Sequence, residues 1–423
     1  MRFVSTRGAA PPVGLSAAIR AGAAPDGGLY LPETIPASVP DPALALPDFA
    51  AEMLAPFFAD DALEPDLAAI CAEAFAFPVP IVTPDPARPT LRALELFHGP
   101  TGAFKDFGAR FLAGCFDRLG EMLTILVATS GDTGGAVGAA TEGRPNLRTL
   151  ILYPKGRVSP FQAHQLGCWA PPVQALEVAG DFDDCQRLVK EAFADSGLAA
   201  RHRLTSANSI NIGRLLPQMA WHGWAAARVH AETGVAPGLI VPTGNLGHGF
   251  AALYARAMGL PIGPVMLATN ANRTLGDWAA SGRYQPRPAL ATTANAMDVG
   301  APSNFERLTA LAPDGIAVER VDDDAIRARI VADHRASGQV WCPHSATAAE
   351  AYARLAPAAR DERPWLLCAT AHPYKFAEIV EPLIGRPLVP PPALAAILER
   401  AAQARPIPAS SDALAQVLAS IAP

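Results

Sequence analysis

No uninterrupted apolar stretch of about 18 residues occurs in the 423-residue chain, so no membrane-spanning helix is expected. No charged start followed by a long apolar run opens it, so no secretory signal is expected either. Charge is scarce: 17% of residues are charged and the net charge is -6, which argues against nucleic acid as the main partner because phosphate backbones select clustered Lys and Arg. A local basic patch around a small anionic substrate is still compatible with that balance. The six cysteines, at positions 71, 115, 168, 185, 342 and 368, form no C-x-x-C pair and no zinc-like spacing. They read as reduced core thiols, with the cytoplasm as the expected compartment and no metal site. Tandem repeats are absent, and biased composition is confined to Pro-rich stretches near residues 78–89 and 386–392.

Half of the residues are hydrophobic, the balance of a well-packed enzyme. The length predicts two or three domains. The first 85 residues, with the turn Pro25-Asp26-Gly27-Gly28 and one or two helices between Asp48 and Phe77, read as a separate N-terminal unit. Pro78 to Pro89 reads as a linker. Residues 86–385 alternate β-type runs with helical patterns, the signature of α/β units around a largely parallel sheet, and 386–423 is expected as a helical C-terminal segment. Strands are predicted at Leu123 to Ala128, Thr149 to Tyr153, Val173 to Val178, Leu239 to Val241, Val265 to Ala268 and Leu366 to Ala369. Helical periodicity is clearest after Lys105, where Phe104, Phe107, Phe111, Cys115 and Leu119 recur at three- or four-residue spacing. Further helices are predicted from Arg214 to about Glu232 and from near Gly249.

Five segments carry chemistry. Leu96 to Gly108 is a Gly/Pro-rich turn that places Lys105 at the start of an apolar helix. Lysine forms a stable imine with an aldehyde cofactor, and an apolar setting frees its amine; taken alone, the segment favours a surface lysine capping a turn, and only the company of the other segments reverses that. Ala128-Thr129-Ser130-Gly131-Asp132-Thr133-Gly134-Gly135 is a strand-loop-helix junction whose hydroxyls and amides suit a carboxylate, as they suit an ordinary helix cap. Val241 to Gly249 is a glycine-rich loop before a helix, suited to a phosphate, though neither a P-loop nor a G-x-G-x-x-G fingerprint. Ser206 to Arg214 gathers Asn208, Asn211 and Arg214, which either bind a second phosphate or satisfy a turn. Leu366 to Pro373 is a buried strand ending in Thr370, a hydroxyl that either meets a ring nitrogen or merely ends the strand.

In this order the segments resemble the threonine synthase family, fold-type-II pyridoxal-phosphate enzymes related to the tryptophan synthase β chain. Ser5-Thr6-Arg7-Gly8, Pro25-Asp26-Gly27-Gly28-Leu29-Tyr30 and Asn295-Ala296-Met297-Asp298-Val299 add to the resemblance, which covers nearly the whole chain. It implies two open parallel-sheet α/β domains with an N-terminal extension, and pyridoxal 5'-phosphate held as a Schiff base by Lys105. It further implies that Gly244, Asn245, Leu246, Gly247 and His248 hold the cofactor phosphate, that Asp132 lies near the ring hydroxyl and that Thr370 contacts the ring nitrogen. His248 departs from the Asn or Asp usual at that loop position, and Asp132 stands where relatives often have Asn. Ser130, Gly131 and Thr133 are then expected to take the substrate carboxylate, and Arg214, Asn208, Asn211 and Lys155 its phosphate. The implied reaction turns O-phospho-L-homoserine and water into L-threonine and phosphate, with Lys105 relaying protons, in a monomer or homodimer. The rivals are a phospho-lyase or dehydratase releasing 2-oxobutyrate, and a non-catalytic binding module with a degenerate site.

Overall fold

The computed structural model describes residues 1–129 and 131–421. Strands that are apolar at every position need cover on both faces. Leu123–Ala128 and Gly238–Pro242 are such strands, buried throughout. Along the second, Leu239 and Val241 enter one apolar cluster while Ile240 enters another. Along the first, Ile125 and Val127 separate from Leu126 and Ala128 in the same way. Side chains alternate across a strand, so each continuous apolar run supplies two cores.

The strands run in chain order as β1 (Phe3–Ser5), β2 (Tyr30–Pro32), β3 (Ile81–Val82), β4 (Leu91–Glu95), β5 (Leu123–Ala128), β6 (Leu147–Pro154), β7 (Val173–Ala179), β8 (Leu204–Ser206), β9 (Gly238–Pro242), β10 (Val265–Thr269), β11 (Ile316–Arg320), β12 (Trp365–Ala369) and β13 (Ala404–Pro408). Among the described residues, one sheet has the order β11-β10-β9-β12-β4-β3 and the other β13-β7-β6-β5-β8. All neighbours in both are parallel except β3 and β4. These are the two open parallel-sheet lobes expected from the sequence. Every predicted strand is present, and the helices after Lys105, Arg214 and Gly249 span Lys105–Arg118, Ile212–Thr233 and Gly247–Ala257.

Two stretches differ from expectation. Pro78 to Pro89, read as a linker, contributes β3 to the edge of the larger sheet, where prolines on either side stop it after two residues. The C-terminal segment, read as helical, inserts β13 between the helices Pro392–Leu398 and Ser411–Ser420. Among the described residues, β13 is an edge strand pairing only with β7. Pro406 and Pro408 alternate along it, and proline is tolerated where its missing N–H would face away from the ladder.

The N-terminal residues add the antiparallel ribbon β1–β2 and the helices Leu46–Phe58 and Leu67–Ala74. Phe57 and Phe58 are fully buried in the cluster that also holds Phe111 of the Lys105 helix, and Phe58 meets Phe111 edge-on at 6.1 Å. Burial of each such ring contributes about 1.5–3 kcal/mol. The extension is therefore held by a shared core and not by a tether. All six cysteines are buried and unpaired.

Candidate active site

In parallel sheets the loops leaving the C-terminal strand ends converge on a crevice. Here β4 leads to the Lys105 turn, β5 to Asp132, β8 to Asn208, β9 to Gly244 and β12 to Thr370, and Lys105, Asp132, Asn208, Gly244 and Thr370 line one cavity of about 590 Å³. That volume suits a cofactor together with a small substrate.

The Lys105 turn is sewn to the chain beyond β12. Leu96 N donates to Ala369 O (2.9 Å), Phe104 N to Thr370 O (2.8 Å) and His372 N to Gly102 O (2.9 Å). Gly102 takes a positive φ of 67°, which closes the turn. Asp106 accepts from Thr101 N and Thr101 Oγ1 at 2.9 and 2.6 Å, holding the turn against its helix. Burial pushes the Asp106 carboxyl up to about 6. Lys105 begins the helix with its side chain 14% exposed and its amine 3.7 Å from Asp132 Oδ2. Burial pushes the Lys105 ammonium below the ordinary lysine range; Asp132 opposes this, while Lys375 and Arg214 add to it.

Asp132 opens the helix Asp132–Thr141 after Gly131, whose φ of 140° is a glycine conformation. Its other oxygen, Oδ1, lies 2.9 Å from the amine of Lys375, which is fully buried. Burial alone would raise the Asp132 carboxyl, but the Lys375 and Lys105 ammoniums outweigh it and hold the group well below the usual carboxylate range.

The loop after β9 forms a cradle. A Cβ on Gly244 would lie 2.6 Å from Met297 Cα, so only glycine lets these backbones meet. Leu246, at φ 64°, turns the chain into the helix Gly247–Ala257, whose first N–H groups lack helical acceptors. The Leu246 side chain is buried in the core, so only its backbone serves the loop. Asn245 is tied to the scaffold: its Nδ2 donates to Ser209 Oγ (2.7 Å) and its Oδ1 accepts from Ser303 N (2.6 Å). Arg307 fixes the Ser209 backbone from below, donating to Ser209 O (3.1 Å) and Ile210 O (2.7 Å). His248 stacks on Phe104, donates from Nδ1 to Pro242 O (3.4 Å) and is held neutral, pushed down to about 3 by burial.

Asn208 lines the cavity and donates to Ala128 O (3.1 Å); Thr133 and Arg214 line it too. The Arg214 guanidinium is buried, pushed down to about 10 by that burial, and it donates to Ala207 O. Gly108 leaves room for it, since a Cβ there would lie 3.0 Å from Arg214 Nε. Two expected residues are elsewhere. Asn211 caps the helix Ile212–Thr233, accepting from Gly213 N and donating to Ile19 O and Ser206 O, which uses its whole amide in the scaffold. Lys155 has a side chain 64% exposed, turned towards Glu177 at 3.8 Å, and is not among the residues lining the cavity; Lys190 and Arg287 are cations that line it. Ser130 lies outside the described residues.

Comparison with known proteins shows the family. The family profile described as "Pyridoxal-phosphate dependent enzyme" matches residues 78–370, "Threonine synthase N terminus" matches 2–75 and "Threonine synthase, C-terminal" matches 345–418. The chain is 36% identical over 420 residues to the threonine synthase of Escherichia coli, covering 96% of each. The chain belongs to the threonine synthase family. The crystal structure of the Escherichia coli threonine synthase matches with a TM-score of 0.92 at 34% identity, over 99% of this chain and 100% of that one. A threonine synthase from Brucella melitensis with pyridoxal phosphate bound matches with a TM-score of 0.89, also at 34% identity, over 99% and 98%. This threonine synthase family member is a pyridoxal-phosphate-dependent lyase of fold type II.

The cavity fits that cofactor. Lys105 supplies an amine, the Gly244–Gly247 loop a cradle that a side chain would fill, and the lining cations Lys105, Lys190, Arg214 and Arg287 exceed the lining carboxylates Asp132, Asp183 and Asp298. An anionic group balances that excess. The threonine synthase site also contains residues that sequence reading missed. Lys375 follows Thr370-Ala371-His372-Pro373 by two positions, and a lone lysine in that apolar run was the available signal. His344 lines the cavity, accepts from Ala296 N at Nε2 (3.0 Å) and is pushed down to about 4 by burial.

Proposed function

We propose that the chain converts O-phospho-L-homoserine and water into L-threonine and phosphate with pyridoxal phosphate on Lys105. One observation carries the reading: a buried amine, freed by its surroundings, faces a fixed carboxylate in a cavity that also holds a phosphate-type cradle and a buried guanidinium.

When bound, the cofactor supplies the electron sink for carbanions at Cα and Cβ. Lys105 serves as the base, because burial leaves its amine unprotonated more readily than an ordinary lysine, and it returns protons to the same face. The backbone N–H groups of Gly244 to His248 hold the cofactor phosphate. Asp132 faces the ring hydroxyl, and the Thr370 hydroxyl serves the ring nitrogen as a neutral partner. Ser130, Gly131 and Thr133 take the substrate carboxylate. Arg214, with Asn208, takes the leaving phosphate and stabilises its charge. We divide the chain into an N-terminal unit to residue 85, a catalytic region to 385 and a C-terminal segment. We assign a monomer or homodimer in the cytoplasm, a setting in keeping with six unpaired cysteines. No helix among the described residues is long and apolar enough to cross a membrane.

The test is to load the protein with pyridoxal phosphate, supply O-phospho-L-homoserine and quantify phosphate, threonine and 2-oxobutyrate together. Phosphate matched by threonine is expected. Phosphate matched by 2-oxobutyrate makes the chain a phospho-lyase, and no phosphate release overturns the substrate. Lys105→Ala is expected to lose the cofactor's visible absorbance and all measurable turnover.

A further inference from the structure

Lys375 lies on the turn after β12, in the larger-sheet lobe, yet its amine reaches into the smaller-sheet lobe. Its side chain is 0% exposed. It donates to Thr101 O (2.7 Å) and to Gln165 Oε1 (2.8 Å), and its third direction meets Asp132 Oδ1 at 2.9 Å. Two of the three ammonium donors thus have hydrogen-bond acceptors, and the Asp132 contact is a close ion pair. Gln165 closes the arrangement by donating from Nε2 to Thr101 O (3.2 Å). The amine therefore touches the Lys105 turn, the helix Pro160–Gly167 and the carboxylate that faces Lys105. Nothing in this arrangement leaves Lys375 free to react.

That contrasts with Lys105, whose amine lies on the other oxygen of the same carboxylate at the longer distance of 3.7 Å and opens to the cavity. Asp132 is buried between two lysines, one fixed and one reactive. Bonding to an aldehyde turns the Lys105 amine into a less basic imine nitrogen, which weakens one of the two counter-charges on Asp132. A buried carboxylate without a partner takes up a proton. Lys375 is the partner that stays.

We propose that Lys375 is a positioning residue for the reaction: it pins Asp132 Oδ1, aims Oδ2 at the Lys105 nitrogen, and keeps Asp132 an anion while Lys105 is engaged by the cofactor. The inference rests on the reading that Asp132 faces the cofactor. The other groups facing Asp132 do not replace Lys375. His344 is pushed down to about 4 and is neutral at physiological pH. Cys342 is a buried thiol pushed above its ordinary range. Arg214 acts on Lys105, and the described contacts show it donating to Ala207 O and to no carboxylate.

The test uses the holoenzyme and the pH dependence of the bound cofactor's visible absorbance, a readout that a merely structural lysine would not move. The variant Lys375→Met is expected to gain a titration step between about pH 5 and 8, where an unpartnered buried carboxylate titrates. Wild type lacks a step that depends on Asp132; any step from Asp106, pushed up to about 6, persists when Asp132 is replaced by Asn and is told apart by that. The double variant Lys375→Met with Asp132→Asn is expected to lose the Asp132 step again, and Lys375→Arg to restore the wild-type profile. Should Lys375→Met fail to fold, Lys375→Gln keeps an amide donor for Thr101 O, removes the charge and carries the same expectation. A wild-type titration in the neutral variant, with Asp132→Asn alone shifting the spectrum, overturns the role of Lys375 and leaves the site reading intact. A spectrum untouched by Asp132→Asn overturns both, since the carboxylate then does not face the cofactor.

Discussion

The rings of Phe104 and His248 lie stacked, with centroids 4.5 Å apart and planes 20° from parallel. Phe104 immediately precedes Lys105, and His248 ends the glycine-rich loop after β9, so one stack couples the Lys105 turn to that loop. A neutral imidazole also adds no charge beneath the cradle. The departure from the usual Asn or Asp at this position thus has a packing explanation. Replacing Phe104→Leu keeps apolar volume and removes the stack. It is expected to cost about 1 kcal/mol, read as roughly fivefold weaker pyridoxal-phosphate binding in a fluorescence titration. Unchanged affinity would mean that the two segments are not coupled.

Gly244→Ala is expected to disrupt the cradle specifically. The added Cβ would meet the Met297 backbone at 2.6 Å, and backbone cannot swing aside as a flexible side chain can. Overpacking of this kind costs about 1–3 kcal/mol, so cofactor affinity should fall by roughly tenfold or more. Equilibrium dialysis against pyridoxal phosphate measures it.

His344 gives a pH dependence of definite sign. Its folded-state pKa is lowered to about 4 by burial, below the unfolded value near 6.5. As pH falls from about 6.5 towards 4 the unfolded chain binds a proton here that the folded chain refuses, so stability is lost on acidification. Relative to His344→Gln, the wild type should lose up to about 1.4 kcal/mol per pH unit in that window. Urea unfolding of the apoenzyme of both proteins at several pH values in the window reads the difference; parallel curves would refute it.

Arg214 and Lys155 make a matched pair of cations, one buried at the cavity and one on the surface. Arg214→Gln is expected to lower kcat about a hundredfold, the scale for losing one buried donor to a developing anion. Lys155→Ala is expected to leave kcat and KM within about twofold, since an exposed ion pair contributes little. Steady-state kinetics on both variants decides; a strong effect of Lys155→Ala would return it to the substrate site.

Much of the site was legible because its parts are local. A strand, a glycine-rich loop and a helix start are consecutive in sequence, so Lys105, Asp132, Gly244 and Thr370 could each be picked out before any tertiary contact was known. The strands read well for the same reason: parallel strands covered on both faces are apolar at every position, as β5, β9 and β12 are. β13 did not read as a strand, because its alternating prolines and exposed residues carry no such signal and its pairing partner lies more than two hundred residues earlier.

The sequence by itself determined the fold class and the family, and singled out Lys105 and the glycine-rich loop as candidates, since these rest on short segments in a particular order. Tertiary structure decided which neighbours those segments acquired. Asn211 and Arg214 are three residues apart, yet one caps a helix and the other lines the cavity. Lys155 and Lys375 are both lysines beside strand ends, yet one faces solvent and the other is sealed against Asp132, 243 positions away in the chain. Burial and distance set the role of each, and both come from packing between segments that the linear order does not place together.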